Sequence, residues 1–213
     1  MDSEDRPDGH AETILRLELT IDNNLIPRFL LLFQQGVMLR ARVGCSLQVF
    51  LREEVGADPD TLEKIQSIFL DGSPVDDLSE ARVRDGSVLA LSAAMPGLVG
   101  ATLRRGGAYS SFRSTITYHE NDARCVSGEG LVQIKLFNLL MEELGPGLLK
   151  KGVLVKSSSL MSLLTEQAPH CWKGCGRALL DGKTIVPQAL CDALRISCHD
   201  MVFLAVDELG EEI

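Results

Sequence analysis

The sequence predicts an α+β protein made of two tandem units, each a mixed sheet with one helix packed across it. Three observations lead to this prediction. Strand-like alternation opens both halves of the chain, a helix-spaced apolar pattern follows it in both, and both then contain Leu-Asp-Gly before a last apolar run. Because these elements recur in the same order, we interpret the chain as a degenerate duplication. Each unit, at about 80 residues, is large enough to hold one small core.

The opening element of each unit is predicted to be a half-buried strand. Apolar residues occupy every second position from 15 to 21 in the first unit and from 132 to 136 in the second. A period of two is typical of a strand with one buried face. Gly-Val then follows at 36–37 and at 152–153. We interpret each Gly-Val as a turn that leads into a second strand.

A helix and a hairpin complete each unit. Ser46 can cap the helix-spaced run "LQVFLREEVGA", and the serines of "KSSS" can cap "LMSLLTEQA". Asp-Gly then occurs at 71–72 and at 181–182, between apolar runs. Asp-Gly favours the positive φ values of a tight hairpin. Each unit therefore reads strand, strand, helix, strand, strand.

These patterns resemble the ubiquitin-like β-grasp superfamily. The stretch "QSIFLDGSPVDDLSEARVRDGSVLALS" is similar in its order of elements to the second half of ubiquitin. Asp85-Gly86-Ser87-Val88 resembles the Asp-Gly-Asp-x-Val that leads to the last strand in two bacterial members, the small subunit of molybdopterin synthase and the thiamine-pathway sulfur carrier. The stretch "VQIKLFNLLMEELG" resembles their opening strand and turn. The resemblance covers most of residues 13–95 and 130–207 and implies two tandem β-grasp units.

We divide the chain on this basis. Its five parts are an acidic tail (1–12), a first unit (13–95), a connector (96–128), a second unit (129–207) and a short tail (208–213). No Asp or Glu occurs between Asp85 and Glu120, so the connector is locally basic in a chain of net charge −9. Its β-prone residues after Gly106-Gly107 favour a β-hairpin, with the glycines in the turn.

The connector also contains "LRRGG", the only diglycine of the chain. Members of the family that act as sulfur carriers or modifiers end in Gly-Gly, and their terminal carboxylate is adenylated. The resemblance therefore makes this a candidate processing or docking site. Docking is plausible because the planar guanidinium groups of arginine suit an acidic partner surface. The alternative is that this stretch is only a structural connector. The candidate residues are Arg104, Arg105, Gly106, Gly107 and Arg113.

The C-terminal end of the chain differs from the diglycine of a carrier. Gly210 is followed by Glu211-Glu212-Ile213, so we do not expect the second unit to act as a carrier. A carrier precursor cut after Gly107 remains an alternative function.

The cysteines suggest a second kind of site. Tetrahedral zinc takes four thiolate or imidazole ligands, usually as two closely spaced pairs. The spacing between the first two candidates suits such a pair, while the other two are separated by six intervening residues. We favour structural thiols, and keep a small thiol- or zinc-dependent enzyme as the second alternative. The four candidates are Cys171, Cys175, Cys191 and Cys198.

Composition narrows the function classes. A net charge of −9 disfavours general nucleic-acid binding. Apolar runs such as residues 29–33 are too short to span a membrane, and the polar start predicts no signal peptide. We therefore expect a cytoplasmic protein without a required cofactor, and protein interaction rather than catalysis. By the resemblance, the expected partner is an adenylating enzyme or another enzyme of molybdopterin or thiamine synthesis.

Overall fold

The computed structural model describes residues 14–120, 127–171, 173–197 and 199–210, with the side chains of 167–171 excepted. These residues form a mixed sheet of ten strands and seven α-helices, so the predicted α+β class is confirmed. The strands are β1 (Leu15–Ile21), β2 (Val37–Val43), β3 (Ser67–Leu70), β4 (Ser73–Pro74), β5 (Val88–Ser92), β6 (Gly128–Phe137), β7 (Val153–Lys156), β8 (Cys175–Leu180), β9 (Lys183–Thr184) and β10 (Met201–Glu208). The helices are α1 (Ile26–Gln35), α2 (Leu47–Glu53), α3 (Pro59–Lys64), α4 (Gly97–Leu103), α5 (Leu139–Lys151), α6 (Ser157–Cys171) and α7 (Leu190–Ser197).

The sheet has two halves with the same pairing pattern. Its order is β4-β3-β5-β6-β2-β7-β10-β1-β8-β9. In each half one parallel pair, β5 with β6 or β1 with β10, is flanked by antiparallel neighbours. The halves meet between β2 and β7, where Met38 pairs with Leu154. The halves do not match strand for strand, because β3 pairs with the last strand β5 in one half, whereas β8 pairs with the opening strand β1 in the other.

The opening strands are exchanged between the two halves. β1, at the start of the chain, pairs along its length with β10 and also with β8, both near the end of the chain. β6, which follows the connector, lies between β5 and β2. Each half of the sheet is thus completed by a strand from the other side of the connector.

The predicted turn between the first two strands of each unit is wrong, because a helix lies there. α1 follows β1, and α5 follows β6. The run "LLLF" in α1 buries Phe29, Leu30 and Phe33, whose spacing matches one face of a helix. Pro27 suits the first turn of this helix, and Gly36, at φ 102°, ends it. A helix of this length carries the chain from one half of the sheet to the other.

The Ser46 cap and both hairpin signals are confirmed, whereas the serines of "KSSS" lie inside α6, so the cap predicted there is wrong. The Ser46 side chain accepts a hydrogen bond from the Val49 amide at 3.4 Å, at the start of α2. Asp71 and Asp181 have φ values of 51° and 48°, and the glycine after each also has positive φ. They form the turns of the β3–β4 and β8–β9 hairpins. The Asp-Gly turns predicted from the sequence are therefore present, even though the neighbouring strands of the sheet do not follow the order of the chain.

The core lies on one face of the sheet. β1 buries every second residue from Leu15 to Ile21, and α1 and α5 pack on this side against each other and against β6 and β10. The alternate side chains lie on the opposite face, which we call the open face; four of them are Arg16, Met38, Arg40 and Phe203. Within the described ranges, no helix is long and apolar enough to cross a membrane.

We predict that Gly152→Ala destabilises the fold strongly. Gly152 has φ 96°, and an added Cβ would lie 2.1 Å from Cζ of Phe203. Gly182 is a matched control, since it has φ 75° but an added Cβ there meets nothing within 4 Å. We expect Gly182→Ala to lower the free energy of unfolding by about 1 kcal/mol and Gly152→Ala by about 2 kcal/mol more. Urea unfolding measures both, and equal losses would contradict the packing of Phe203 on Gly152.

Strand exchange predicts that a chain cut once after Gly107 stays assembled. The first fragment would supply β2, β5 and β1, while the second would supply β6, β8 and β10 between or beside them. With a protease site placed after Gly107, we expect the cut protein to elute from a sizing column with the intact protein and to separate in denaturant. Separation of the fragments under native conditions would contradict the exchanged pairing.

Candidate functional site

The predicted β-hairpin in the connector is wrong. Residues 97–103 form α4, and residues 110–113 form a short 3-10 helix. The diglycine lies between these helices, with Gly106 at φ 60° and the Gly107 amide donating to the Arg104 carbonyl at 3.1 Å. The β-branched residues after it are held by tertiary contacts instead of by a strand partner, because their intrinsic β-propensity is weak compared with such contacts.

Arg113 is buried and ties the connector together. Its side chain is 4% exposed, and Nη2 lies 2.7 Å from Oδ1 of Asp76. Nε donates to the Thr102 carbonyl at 2.8 Å, and Nη2 also donates to the Arg104 carbonyl at 3.3 Å. Nη1 donates to Oγ1 of Thr117 at 3.0 Å. The guanidinium is therefore used inside the fold, and its role is structural.

The backbone of "LRRGG" is fixed to the edge of the sheet. The Arg105 amide donates to the Gln66 carbonyl at 2.7 Å, and the Gly106 amide donates to Oδ1 of Asp76 at 3.0 Å. Asp76 thus joins Gly106 and Arg113 through one carboxylate oxygen. The diglycine is held as part of a folded connector next to β3 and β4.

The end of the described part of the connector is fixed by a half-buried tyrosine. The Tyr118 amide donates to the Pro74 carbonyl at 2.8 Å, and its hydroxyl donates to Oε2 of Glu120 at 2.9 Å. Nη1 of Arg84 donates to the same hydroxyl at 3.1 Å, and Arg84 also pairs with Glu120. Burial raises the pKa of Tyr118, so the phenol stays protonated and keeps donating at neutral pH.

Five large apolar side chains of the connector face solvent. The most exposed are Phe112 at 79%, Leu98 at 73% and Val99 at 67%. The Tyr109 and Phe112 rings stack with centroids 6.2 Å apart. Contiguous exposed apolar groups on a folded protein mark interaction sites more often than single ones do. The five residues are Leu98, Val99, Tyr109, Phe112 and Ile116.

Two cations accompany these apolar groups. Arg104 is exposed and Arg105 is half-buried. Among the described residues neither side chain forms an ion pair. We call the two arginines and the five apolar residues the connector surface. It combines apolar contact area with unpaired positive charge, as the centre and rim of a protein interface do.

The cysteine set is only partly within the described structure. Cys175 lies in β8 and Cys191 in α7, and both are half-buried against the core. The Cys175 thiol donates to the Arg177 carbonyl at 3.6 Å. Cys198 and the side chain of Cys171 lie outside the described residues. Across the part that is described, no group of three or more His, Cys, Asp or Glu is placed to hold a metal ion.

A cleft on the open face was missed by sequence reasoning. It has a volume of about 200 Å³, and the Arg16 guanidinium carbon lies 4.4 Å from the ring centre of Phe203. Nε of Arg16 also lies 2.5 Å from Oε1 of Glu18, while Arg40 is exposed and has no ion-pair partner among the described residues. The alternation of β1 placed Arg16 on the open face, but the pairings that bring it near Arg40 are not visible in the sequence. The cleft is lined by Ile14, Arg16, Met38, Arg40, Gly152, Leu154 and Phe203.

A larger groove of about 590 Å³ lies between α6 and α7. Hydroxyl groups of α6 line it together with Arg195, His199 and Asp200. Nδ1 of His199 is enclosed with no hydrogen-bond partner among the described residues, and the Ser157 hydroxyl donates to the His199 carbonyl instead of to its ring. A nucleophilic serine needs a base in contact with its hydroxyl, so this pair does not form a catalytic dyad.

Comparison with models of protein families, with curated proteins and with solved structures finds no match to this chain. Its function is therefore argued from the connector surface and the sheet topology.

We predict that Arg113→Met destabilises the protein and that Arg104→Met does not. Loss of the Arg113 guanidinium removes the cation that pairs with Asp76 and the donor to the Thr102 carbonyl, which should cost on the order of 3 kcal/mol of unfolding free energy. The exposed Arg104 side chain should change it by no more than about 0.5 kcal/mol. Chemical unfolding measures both variants. Equal stability of Arg113→Met and the parent protein would show that the hydrogen-bond set is not structural.

Proposed function

We propose that the protein is a non-catalytic protein-interaction module built from two ubiquitin-like β-grasp units that exchange their opening strands. The connector surface is its docking site, and the ligand is an acidic, amphipathic segment of a partner protein. The observation that carries the proposal is the combination of exposed apolar side chains with Arg104 and Arg105 on a folded part of the connector, within the stretch 86–119 that contains no Asp or Glu.

The repeated sheet pattern supports the β-grasp assignment. Each half contains five strands with one central parallel pair, and each ends in an Asp-Gly hairpin. The sequence resemblance implies a small mixed sheet of this kind in each unit. The exchange of β1 and β6 explains why neither half is continuous in the chain.

The composition of the connector surface defines the chemistry of its partner. A partner that covers Phe112 and Leu98 must supply apolar side chains, because these two are the most exposed large apolar residues of the connector. A partner that desolvates Arg104 and Arg105 must supply carboxylates, since neither arginine forms an ion pair within the described residues. By the resemblance, the candidate partner is an adenylating enzyme or another enzyme of molybdopterin or thiamine synthesis.

The contacts of the diglycine weigh against the carrier-precursor alternative. A fragment that ends at Gly107 would lack β6, leaving β2 and β5 without their shared neighbour. The amides of Arg105 and Gly106 are also hydrogen-bonded to Gln66 and Asp76, which holds this segment against the fold. An activated tail must instead extend freely into the channel of another enzyme.

The thiol- or zinc-dependent enzyme is the other alternative. It rests on four cysteines, of which Cys198 and the side chain of Cys171 lie outside the described residues. Cys175 and Cys191 are packed against the core, as structural thiols are. No contact of the described residues favours this alternative over protein interaction.

We predict that the connector surface binds an amphipathic helical peptide of about 18 residues, with leucine on one face and glutamate on the other. A fluorescein-labelled peptide would be titrated with the full chain and read by anisotropy. Arg104→Glu with Arg105→Glu should weaken binding at least about tenfold, because attraction becomes repulsion. Phe112→Ser should weaken it by a similar factor through lost apolar contact.

Arg52→Glu is the matched control, since Arg52 is exposed on α2 and its substitution makes the same change of charge. It should bind like the parent protein, and all variants should keep the parent's circular dichroism spectrum. Equal weakening by Arg52→Glu, or equal binding of a lysine-for-glutamate version of the peptide, would overturn the proposed docking site. The same variants then identify the native partner as the protein lost from pull-downs with the connector variants and kept with the control.

A further inference from the structure

The cleft on the open face is lined by both cationic and apolar side chains. The cationic residues are Arg16 and Arg40, and the apolar residues include Met38, Leu154 and Phe203. Arg16 is held in place by its contact with the Phe203 ring and by Glu18. Arginine that stacks on an aromatic ring keeps its edge available for carboxylates, because the ring contacts only the face of the guanidinium.

Of the two arginines that line the cleft, one is paired with a carboxylate of the described residues. Glu18 is the carboxylate that contacts Arg16. Arg40 is exposed, and no ion pair to it occurs within the ranges that the structure describes. Its neighbour on the same face of β2, Arg42, is by contrast paired with Glu53 and Glu54. Arg40 can therefore pair with a carboxylate from outside the described residues.

The segment that precedes β1 has the complementary charge. Residues 1–13 contain five carboxylates and one arginine. Ile14, the first described residue, itself lines the cleft, so the segment leaves the described structure at this point. Thirteen residues can reach about 40 Å when extended, several times the spacing of neighbouring strands. The acidic residues are Asp2, Glu4, Asp5, Asp8 and Glu12.

We propose that residues 1–13 bind in cis over the open-face cleft, with their carboxylates paired to Arg16 and Arg40. Tethering at Ile14 raises the local concentration of these carboxylates to the millimolar range, so individually weak ion pairs suffice. The bound segment competes with other acidic ligands for the cleft. This inference does not depend on the connector surface, which lies at the β3–β4 edge of the sheet.

The test compares the full chain with a variant that lacks residues 1–12. The Nε–Hε signals of Arg16 and Arg40 would be followed by NMR at 50 and 500 mM salt, with Arg52 as the control signal. At low salt we expect both signals to shift on deletion and the Arg52 signal to stay. At high salt the two proteins should become alike, because screening weakens exposed ion pairs. Identical Arg40 signals in both proteins at low salt would overturn the proposal.

Two further measurements separate cis binding from its alternatives. A synthetic peptide of residues 1–13 should restore the Arg40 signal of the shortened chain, and Arg40→Gln should weaken its binding at least about threefold while Arg52→Gln leaves it unchanged. Replacing the five carboxylates by their amides in the full chain should reproduce the deletion. A shift that grows with protein concentration would mean that the segment binds a second copy, and would overturn binding in cis.

Discussion

Strand β6 lies between β5 and β2, and this position holds the two parts of the chain together. Its residues pair in parallel with β5 and antiparallel with β2, so both neighbours depend on a strand supplied from beyond the connector. β1 has the same relation to β8 and β10. Unpaired backbone groups in a buried sheet are costly, so each half needs its exchanged strand to be stable. The connector therefore joins two parts that fold as one core.

This exchange of strands determines the path that the connector must follow. Because β5 and β6 are adjacent and parallel, the chain that leaves the end of β5 must return along the strand direction to reach the start of β6. Such a crossover needs its own packing, and Arg113 provides it by linking Asp76 to the carbonyls of Thr102 and Arg104. With the guanidinium buried, the apolar residues of the two short connector helices remain outside. The docking surface that we propose is thus a consequence of how the crossover is anchored.

The sequence predicted local features more accurately than pairings. Ser46 as a helix cap and Asp71-Gly72 as a hairpin turn were correct, because both depend on residues a few positions apart. The helix at 26–35 was missed, since a short apolar run fits a strand or a buried helix equally well. The pairing of β1 with β10 depends on residues almost 190 positions apart, such as Leu15 and Val202, and no local pattern encodes it. For the same reason Arg16 and Arg40 were not recognised as neighbours, whereas Arg104 and Arg105 were found from one acid-free stretch.

The charges of the chain follow from these constraints. The net charge is −9, yet the connector surface and the open-face cleft both present arginines without a full set of carboxylate partners. In an acidic protein such arginines attract the chain's own carboxylates as well as those of a partner, and the tethered ones have the higher effective concentration. Residues 1–13 are attached beside the cleft and are far along the chain from the connector. In the cis binding that we propose, this segment occupies the cleft, and the connector surface stays available to the partner protein that we propose for it.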